Sequence, residues 1–284
     1  MPLFKIIILA IIQGLAELLP VSSSAHVVVA ERIMGLNASS PQMTLMLVML
    51  HTGTMFAVVV YFWKQWRRTY FRSRGAFNLI AIRLIWATFL TGVVGLAMIK
   101  LAEMTLLKGV PHPQIEDLFN HLEWIAPALL AVGILILVAG LLPSRENDDR
   151  EPSMIQSAWI GVIQGLCIPF RGFSRSGATI STGMLTGVNR ERSEAFSFAL
   201  VILLTPLAVG KEVLRIVHAD HITNSLNLAS AMVPGLTGMF FAFLAGLVAL
   251  KWLSRWLEGG RWYLFGIYCI AASGVVFYLH HLGF

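Results

Sequence analysis

Pro169-Phe170-Arg171-Gly172-Phe173-Ser174-Arg175-Ser176-Gly177-Ala178-Thr179 stands in the middle of apolar sequence, where a membrane span would otherwise run. An arginine at membrane depth costs several kcal/mol, so it is retained only with a partner or a purpose. Pro169 and Gly172 break a helix, and Ser174 is a good N-cap for a new one running through Thr179. A fresh helix N-terminus directs free N–H groups and the positive end of its dipole into the break. With Arg175 beside it, the chemistry is that of an anion site, most economically a phosphate site.

Composition agrees with a membrane setting. Of 284 residues, 57% are hydrophobic and 13% charged, and the mean hydropathy is +0.74. Soluble domains carry about a quarter charged residues, so the chain reads as an all-α integral membrane protein. No cleavable signal peptide is expected, because the N-terminal apolar stretch leads straight into polar, motif-bearing sequence. The net charge of +6 is spread over short loops between apolar spans. It therefore speaks for topology and contact with anionic lipids, not for a nucleic-acid partner. Cys167 and Cys269 lie in apolar segments without metal-ligand spacing and are expected as buried free thiols.

Working outward, residues 3–35 are also apolar and also interrupted, at Pro20 to Ser24. Neither half reaches the ~20 residues needed to cross a bilayer, so a re-entrant hairpin is expected. Full spans are predicted over 43–63, 79–99, 124–142, 195–213, 229–250 and 262–279, with Pro206 kinking the fourth. The loop from Lys64 to Arg74 carries five basic residues and no acid, which makes it cytoplasmic. Alternation then puts both termini outside. Residues 143–154 form a charged cytoplasmic link between halves 1–142 and 155–284.

The halves resemble each other. Ile12-Gln13-Gly14-Leu15 recurs as Ile163-Gln164-Gly165-Leu166, and Ser22-Ser23-Ser24-Ala25 as Ser174-Arg175-Ser176-Gly177. With a second broken hairpin over 155–187, the arrangement predicted is six full spans plus two re-entrant hairpins in an inverted-topology repeat. Such folds place their site where the discontinuous helices meet, with Glu17, the serines and His26 opposite Arg175.

Gln13 and Glu17, four apart, share a helix face, as do Ser23 and His26, three apart. Ser22 can cap the second short helix. Arg175 and Thr179 are an i,i+4 pair with Ser174 as cap. A carboxylate, a histidine, hydroxyls and an arginine around helix N-termini suit phosphoryl transfer. Glu17 can hold a divalent cation bridging pyrophosphate oxygens, and His26 can deprotonate Ser23 or protonate a leaving group. His51, in Leu50-His51-Thr52-Gly53, either lines the cavity or is a buried, hydrogen-bonded histidine, the second being favoured.

These residues resemble the undecaprenyl-diphosphate phosphatases, or bacitracin-resistance proteins. Members carry Glu-Gly-x-x-Glu-x-x-Pro-Val-Ser-Ser-x-x-His, matched here by Gln13 to His26. They also carry Pro-Gly-x-Ser-Arg-Ser-Gly-Ala-Thr, matched by Gly172 to Thr179, and a later Phe-Ser-Phe, matched by Phe196-Ser197-Phe198. The resemblance implies hydrolysis of a polyprenyl diphosphate to the monophosphate, recycling the lipid carrier for cell-envelope synthesis. It implies a divalent cation (Mg or Ca) at Glu17, the bacterial plasma membrane, and a site open to the outer side. Glu17, Ser23, His26 and Arg175 become the catalytic set. Gln13, Ser22, Arg171, Ser174, Ser176 and Thr179 become the substrate-binding set. The oligomeric state stays open, a homodimer included.

Three departures matter. Gln13 stands where the family has its first Glu, Pro169-Phe170-Arg171-Gly172 is longer than Pro-Gly and adds a positive charge, and the proline that the family carries in the span after Phe-Ser-Phe is displaced to Pro206. Either Arg171 does part of a metal's work, or this branch takes a different lipid phosphate or carries it without hydrolysis. The alternative to a phosphatase is therefore a polyprenyl-phosphate transporter.

Overall fold

The computed structural model describes residues 2–36, 41–106, 122–142, 150–223 and 228–282. Among these residues there are ten helices and no strand. They are α1 (Leu3–Leu18), α2 (Ser23–Ile33), α3 (Pro41–Thr69), α4 (Arg74–Thr105) and α5 (Leu122–Leu141). After the link follow α6 (Met154–Cys167), α7 (Arg175–Leu185), α8 (Arg190–Thr223), α9 (Leu228–Glu258) and α10 (Trp262–His281). Residues 37–40, residues 107–121 between the second and third expected spans, and residues 143–149 of the link lie outside the described residues.

Both interruptions fall where proline, glycine and serine predict them. α1 ends one residue before Leu19-Pro20, and the chain re-enters a helix at Ser23 through Ser22, whose φ is 67°. That left-handed conformation is uncommon for a residue with a Cβ and marks a tightly specified turn. α6 begins with a reciprocal cap: Ser153 Oγ accepts from the Gln156 amide, and Gln156 Oε1 accepts from the Ser153 amide. Two of the orphan N–H groups of the first turn are thereby satisfied. Gln156 Nε2 also donates to the Thr186 carbonyl at 2.9 Å, tying the start of α6 to the end of α7.

Among the described residues, five helices are long and apolar enough to cross a membrane, over 43–69, 74–105, 123–141, 232–258 and 262–281. The sixth expected span, 195–213, lies inside α8, where several side chains fall outside the described residues. Elsewhere the helices outrun their apolar cores. α3 continues to Thr69 and α9 to Glu258, through basic residues expected to be loop. Lys and Arg are good helix formers whose long stems reach water beyond the apolar zone. Large apolar side chains such as Leu96, Ile85 and Val233 are exposed, as a lipid-facing surface requires.

The chain divides into two compact units, each drawing on both halves of the sequence. The first comprises 1–19, 23–63 and 201–253, and within it α1 lies so close to α9 that a Cβ on Gly14 would stand 2.6 Å from Ala245 Cβ. The second comprises 20–22, 64–200 and 254–284. There Gly161 and Gly165 of α6 let the helix lie against Ala87 and Thr91 of α4, a small-residue seam that permits backbone contact. Thr91 Oγ1 bonds the Gly161 carbonyl across the seam, and Gln164 Nε2 donates to Thr91. Both cysteines are free and buried.

Candidate active site

In the first unit, polar side chains from three helices collect around one carboxylate oxygen. Glu17, in the last turn of α1, accepts at Oε2 from Ser23 Oγ at 2.5 Å and from Gln13 Nε2 at 3.2 Å. The i,i+4 spacing on α1 brings Gln13 to Glu17, and the turn through Pro20 to Ser22 brings Ser23 back over the end of α1. The amide nitrogen of Gln13 also meets His51 Nδ1 of α3 at 3.0 Å, and that imidazole nitrogen lies 3.7 Å from Glu17 Oε2. Gln13 is buried, Glu17 largely so, and His51 half exposed. His26 follows Ser23 by one turn of α2 and is half-buried.

In the second unit, the break between α6 and α7 is shaped by Gly172. Its φ is 105°, and a Cβ there would strike the Ile125 carbonyl of α5. Ser174 caps α7 by accepting from the Gly177 amide at 3.3 Å, and its hydroxyl lies 3.4 Å from that of Ser176. Arg175 is the first residue of α7, and like Arg171 in the break it is half-buried. Thr179 Oγ1 donates to the Arg175 carbonyl at 2.8 Å and lies 2.6 Å from Ser197 Oγ. A hydroxyl has one hydrogen, so Ser197 supplies the proton of the second bond. Ser174, Ser176, Thr179 and Ser197 are all buried, and this hydroxyl set fixes the first turn of α7 against α8. Pro20, from the turn after α1, also belongs here: its carbonyl accepts from Cys269 Sγ at 3.2 Å, and its ring flanks Gly177. Ser22 is buried beside it in the same segment.

Thus Gln13 and Glu17 meet as their spacing predicts, with Ser23 joining them across the turn, and Ser174, Ser176 and Thr179 gather at the first turn of α7. Two members were not assigned to a site beforehand. His51 joins Gln13 from 38 residues away, a pairing that no local pattern announces. Ser197 is the middle residue of Phe196-Ser197-Phe198, and its part in holding Thr179 emerges only from packing.

Whether these residues suit a divalent cation turns on their donor set. Among the described residues no group of three His, Cys, Asp or Glu side chains is placed to hold a metal. Glu17 is one carboxylate, with an oxygen already accepting from two donors. Mg²⁺ commonly binds through one or two carboxylates together with substrate phosphates. The residues therefore fit an ion shared with a phosphate ligand, not one caged by protein alone.

Comparison with known proteins agrees with this chemistry. Residues 6–275 match the family described as bacitracin resistance protein BacA. An undecaprenyl-diphosphatase 2 of Acinetobacter baylyi is 54% identical over 280 residues, covering 97% of each chain. An undecaprenyl-diphosphatase of Desulfosudis oleivorans is 33% identical, covering 96% of this chain and 97% of the relative. Another, of Rhodopirellula baltica, is 30% identical over 98% of each chain. With a match running nearly end to end and both polar clusters inside it, the chain belongs to the bacitracin resistance protein BacA family.

Proposed function

We propose that the protein hydrolyses undecaprenyl diphosphate to undecaprenyl phosphate and inorganic phosphate in the bacterial plasma membrane, from the outer side. The observation that carries this reading is the 2.5 Å hydrogen bond from Ser23 Oγ to Glu17 Oε2. It pairs a nucleophile with a base in the geometry that activates hydroxyls. As Ser23 Oγ attacks the terminal phosphorus, its proton passes to Glu17. The bond from that phosphorus to the bridging oxygen breaks, and undecaprenyl phosphate leaves with the electron pair, His26 supplying a proton to it. Water then attacks the phosphoserine and passes a proton to His26, the bond from phosphorus to Ser23 Oγ breaks, Ser23 Oγ takes back the proton held by Glu17, and inorganic phosphate leaves.

To Arg175 and the capped N-terminus of α7 we assign neutralisation of diphosphate charge, with Arg171 adding to it. Ser174 and Ser176 shape the turn that presents those N–H groups, Thr179 holds it from within, and Ser22 sets the approach to Ser23. A divalent cation, when bound with the substrate, supplies further neutralisation of phosphate charge, and Glu17 would hold it. The repeat supports this assignment. α1–α5 and α6–α10 each open with two short helices. The first hairpin packs Gly14 on the fourth helix of the second set, and the second hairpin packs Gly165 on the fourth helix of the first. We read this exchange as the inverted repeat of six spans and two re-entrant hairpins.

The test is phosphate release from undecaprenyl diphosphate by the purified chain in liposomes, with lipid reorientation followed in parallel. Wild type should release phosphate, and Arg175→Ala should lose roughly a hundredfold in rate, the scale of one preorganised charge donor. Reorientation without phosphate release would instead favour the transporter.

A further inference from the structure

Gln13 Nε2 carries two hydrogens and has two acceptors in reach, Glu17 Oε2 at 3.2 Å and His51 Nδ1 at 3.0 Å. A ring nitrogen that accepts does not bear the proton, so with both bonds made the His51 proton sits on Nε2. Reversing the amide would set its carbonyl oxygen against the Glu17 carboxylate, oxygen to oxygen, and against the lone pair on His51 Nδ1. The Glu17 carboxylate therefore sets the amide orientation, and His51 Nδ1, accepting the second hydrogen, holds the side chain in it. The oxygen that receives the other Gln13 hydrogen is the same Oε2 that accepts from Ser23 at 2.5 Å. A continuous relay runs from His51 on α3, through Gln13 and Glu17 on α1, to Ser23 on α2.

Burial makes the relay selective. Gln13 is 2% exposed, so a buried amide hydrogen left without an acceptor costs about 1–3 kcal/mol and tends to drag the side chain elsewhere. The His51 side chain is 42% exposed. An ionisable side chain within a membrane helix characteristically faces the bundle interior or a wet cavity and has a function. Packing alone does not require a half-exposed imidazole, whereas a fixed acceptor for Gln13 does.

We propose that His51 is a positioning residue of the phosphatase reaction, acting through Gln13 to hold Glu17 Oε2 on Ser23. The proposal rests on the hydrolytic reading given above. In this chain the neutral amide at position 13 makes the assignment of Glu17 depend on a residue from another helix.

The experiment is a double-mutant cycle on the purified full chain, with kcat and KM measured for undecaprenyl diphosphate and thermal unfolding in detergent as the control. His51→Ala and Gln13→Ala should each lower kcat roughly tenfold, the scale on which outer-shell partners act, with KM changed less than about twofold. The double variant should be no slower than the slower single one, since both break the same relay. His51→Asn, whose Oδ1 falls near the position of Nδ1, should recover most of kcat, and His51→Phe, which fills the space without an acceptor, should not. Multiplying losses in the double variant, full activity in His51→Ala, or Asn no better than Phe would each overturn the role of His51. Absence of phosphate release by the wild type would instead sink the underlying reading.

Discussion

Ser23 Oγ and Glu17 Oε2 lie 2.5 Å apart, although Ser23 opens one short helix and Glu17 closes the one before it. The five residues between them include Pro20 and a left-handed Ser22, so the contact is made by the turn itself. A hydroxyl donating to a carboxylate is a charge-assisted bond, among the shorter and stronger classes. Ser23→Ala should therefore remove nearly all phosphate release, and Glu17→Gln, which keeps the shape but removes the base, should slow it by about 10²–10⁴-fold. Rates near wild type in Glu17→Gln would show that the carboxylate only positions Ser23.

Where the sequence was readable, local chemistry was enough. Proline, glycine and serine at 169–174 and 20–24 fix both interruptions, and the caps at Ser174 and Ser153 form as their residue types allow. The i,i+4 spacing of Gln13 and Glu17 also survives into the structure. What could not be read is what depends on distant packing. The choice of His51 as acceptor for Gln13, of Ser197 for Thr179, and the assembly of each unit from both halves are set by helices meeting across long stretches of chain. Helix ends were misjudged for a different reason. Hydropathy marks where a span leaves the apolar zone, whereas the backbone bonds of α3 and α9 continue through basic residues that hydropathy reads as loop.

Gly172 is required twice over. Its φ of 105° is open to glycine and strained for other residues, and an added Cβ would press on the Ile125 carbonyl. Backbone strain alone is worth about 1–3 kcal/mol. Gly172→Ala should accordingly lower the unfolding temperature in detergent and reduce phosphate release, by tilting the N-terminus of α7. Gly92, inside α4, has nothing within 4 Å of an added Cβ, so Gly92→Ala should leave phosphate release unchanged and hold or raise the unfolding temperature. Equal behaviour of the two variants would show that Gly172 does not shape the turn.

Glu151, in the link before α6, meets Arg192 of α8 at 2.9 Å, with both side chains mostly buried. Burial raises the Glu151 carboxyl above its ordinary value, against the opposing pull of Arg192 and Arg83. Tyr70, just beyond α3, is pushed up too, first by burial and then by the Glu151 charge. The sign follows from linkage: a carboxyl with a raised folded-state pKa contributes stability that is present below its unfolded value, 4.5, and lost as pH rises through the folded one. Glu151→Gln mimics the protonated form. The variant should match wild type at pH 4 and become the more stable of the two towards neutrality, as read by unfolding temperature in detergent. A difference that stays constant with pH, or favours wild type at pH 7, would contradict the burial argument.

Replacing Gln13 by glutamate tests what the amide does for Glu17. Gln13 Nε2 stands 3.2 Å from Glu17 Oε2, where it donates a hydrogen bond and brings no charge. A carboxylate in that place would put two negative groups side by side, an arrangement that favours capture of a proton or a cation. It would also add the second hard oxygen ligand that cation affinity rises with. Calorimetric titration of Mg²⁺ or Ca²⁺ into the purified chain, without lipid substrate, should show weak binding for wild type. Gln13→Glu should bind at least about tenfold more tightly, the scale on which ligand charge count tunes such sites. Adding a non-hydrolysable methylene diphosphonate should narrow the gap, because phosphonate oxygens then supply for wild type what the second carboxylate supplies for the variant. Tight binding by wild type alone would mean that the protein itself cages the ion. Equal weak binding by both would mean that Glu17 serves as a base and not as a ligand.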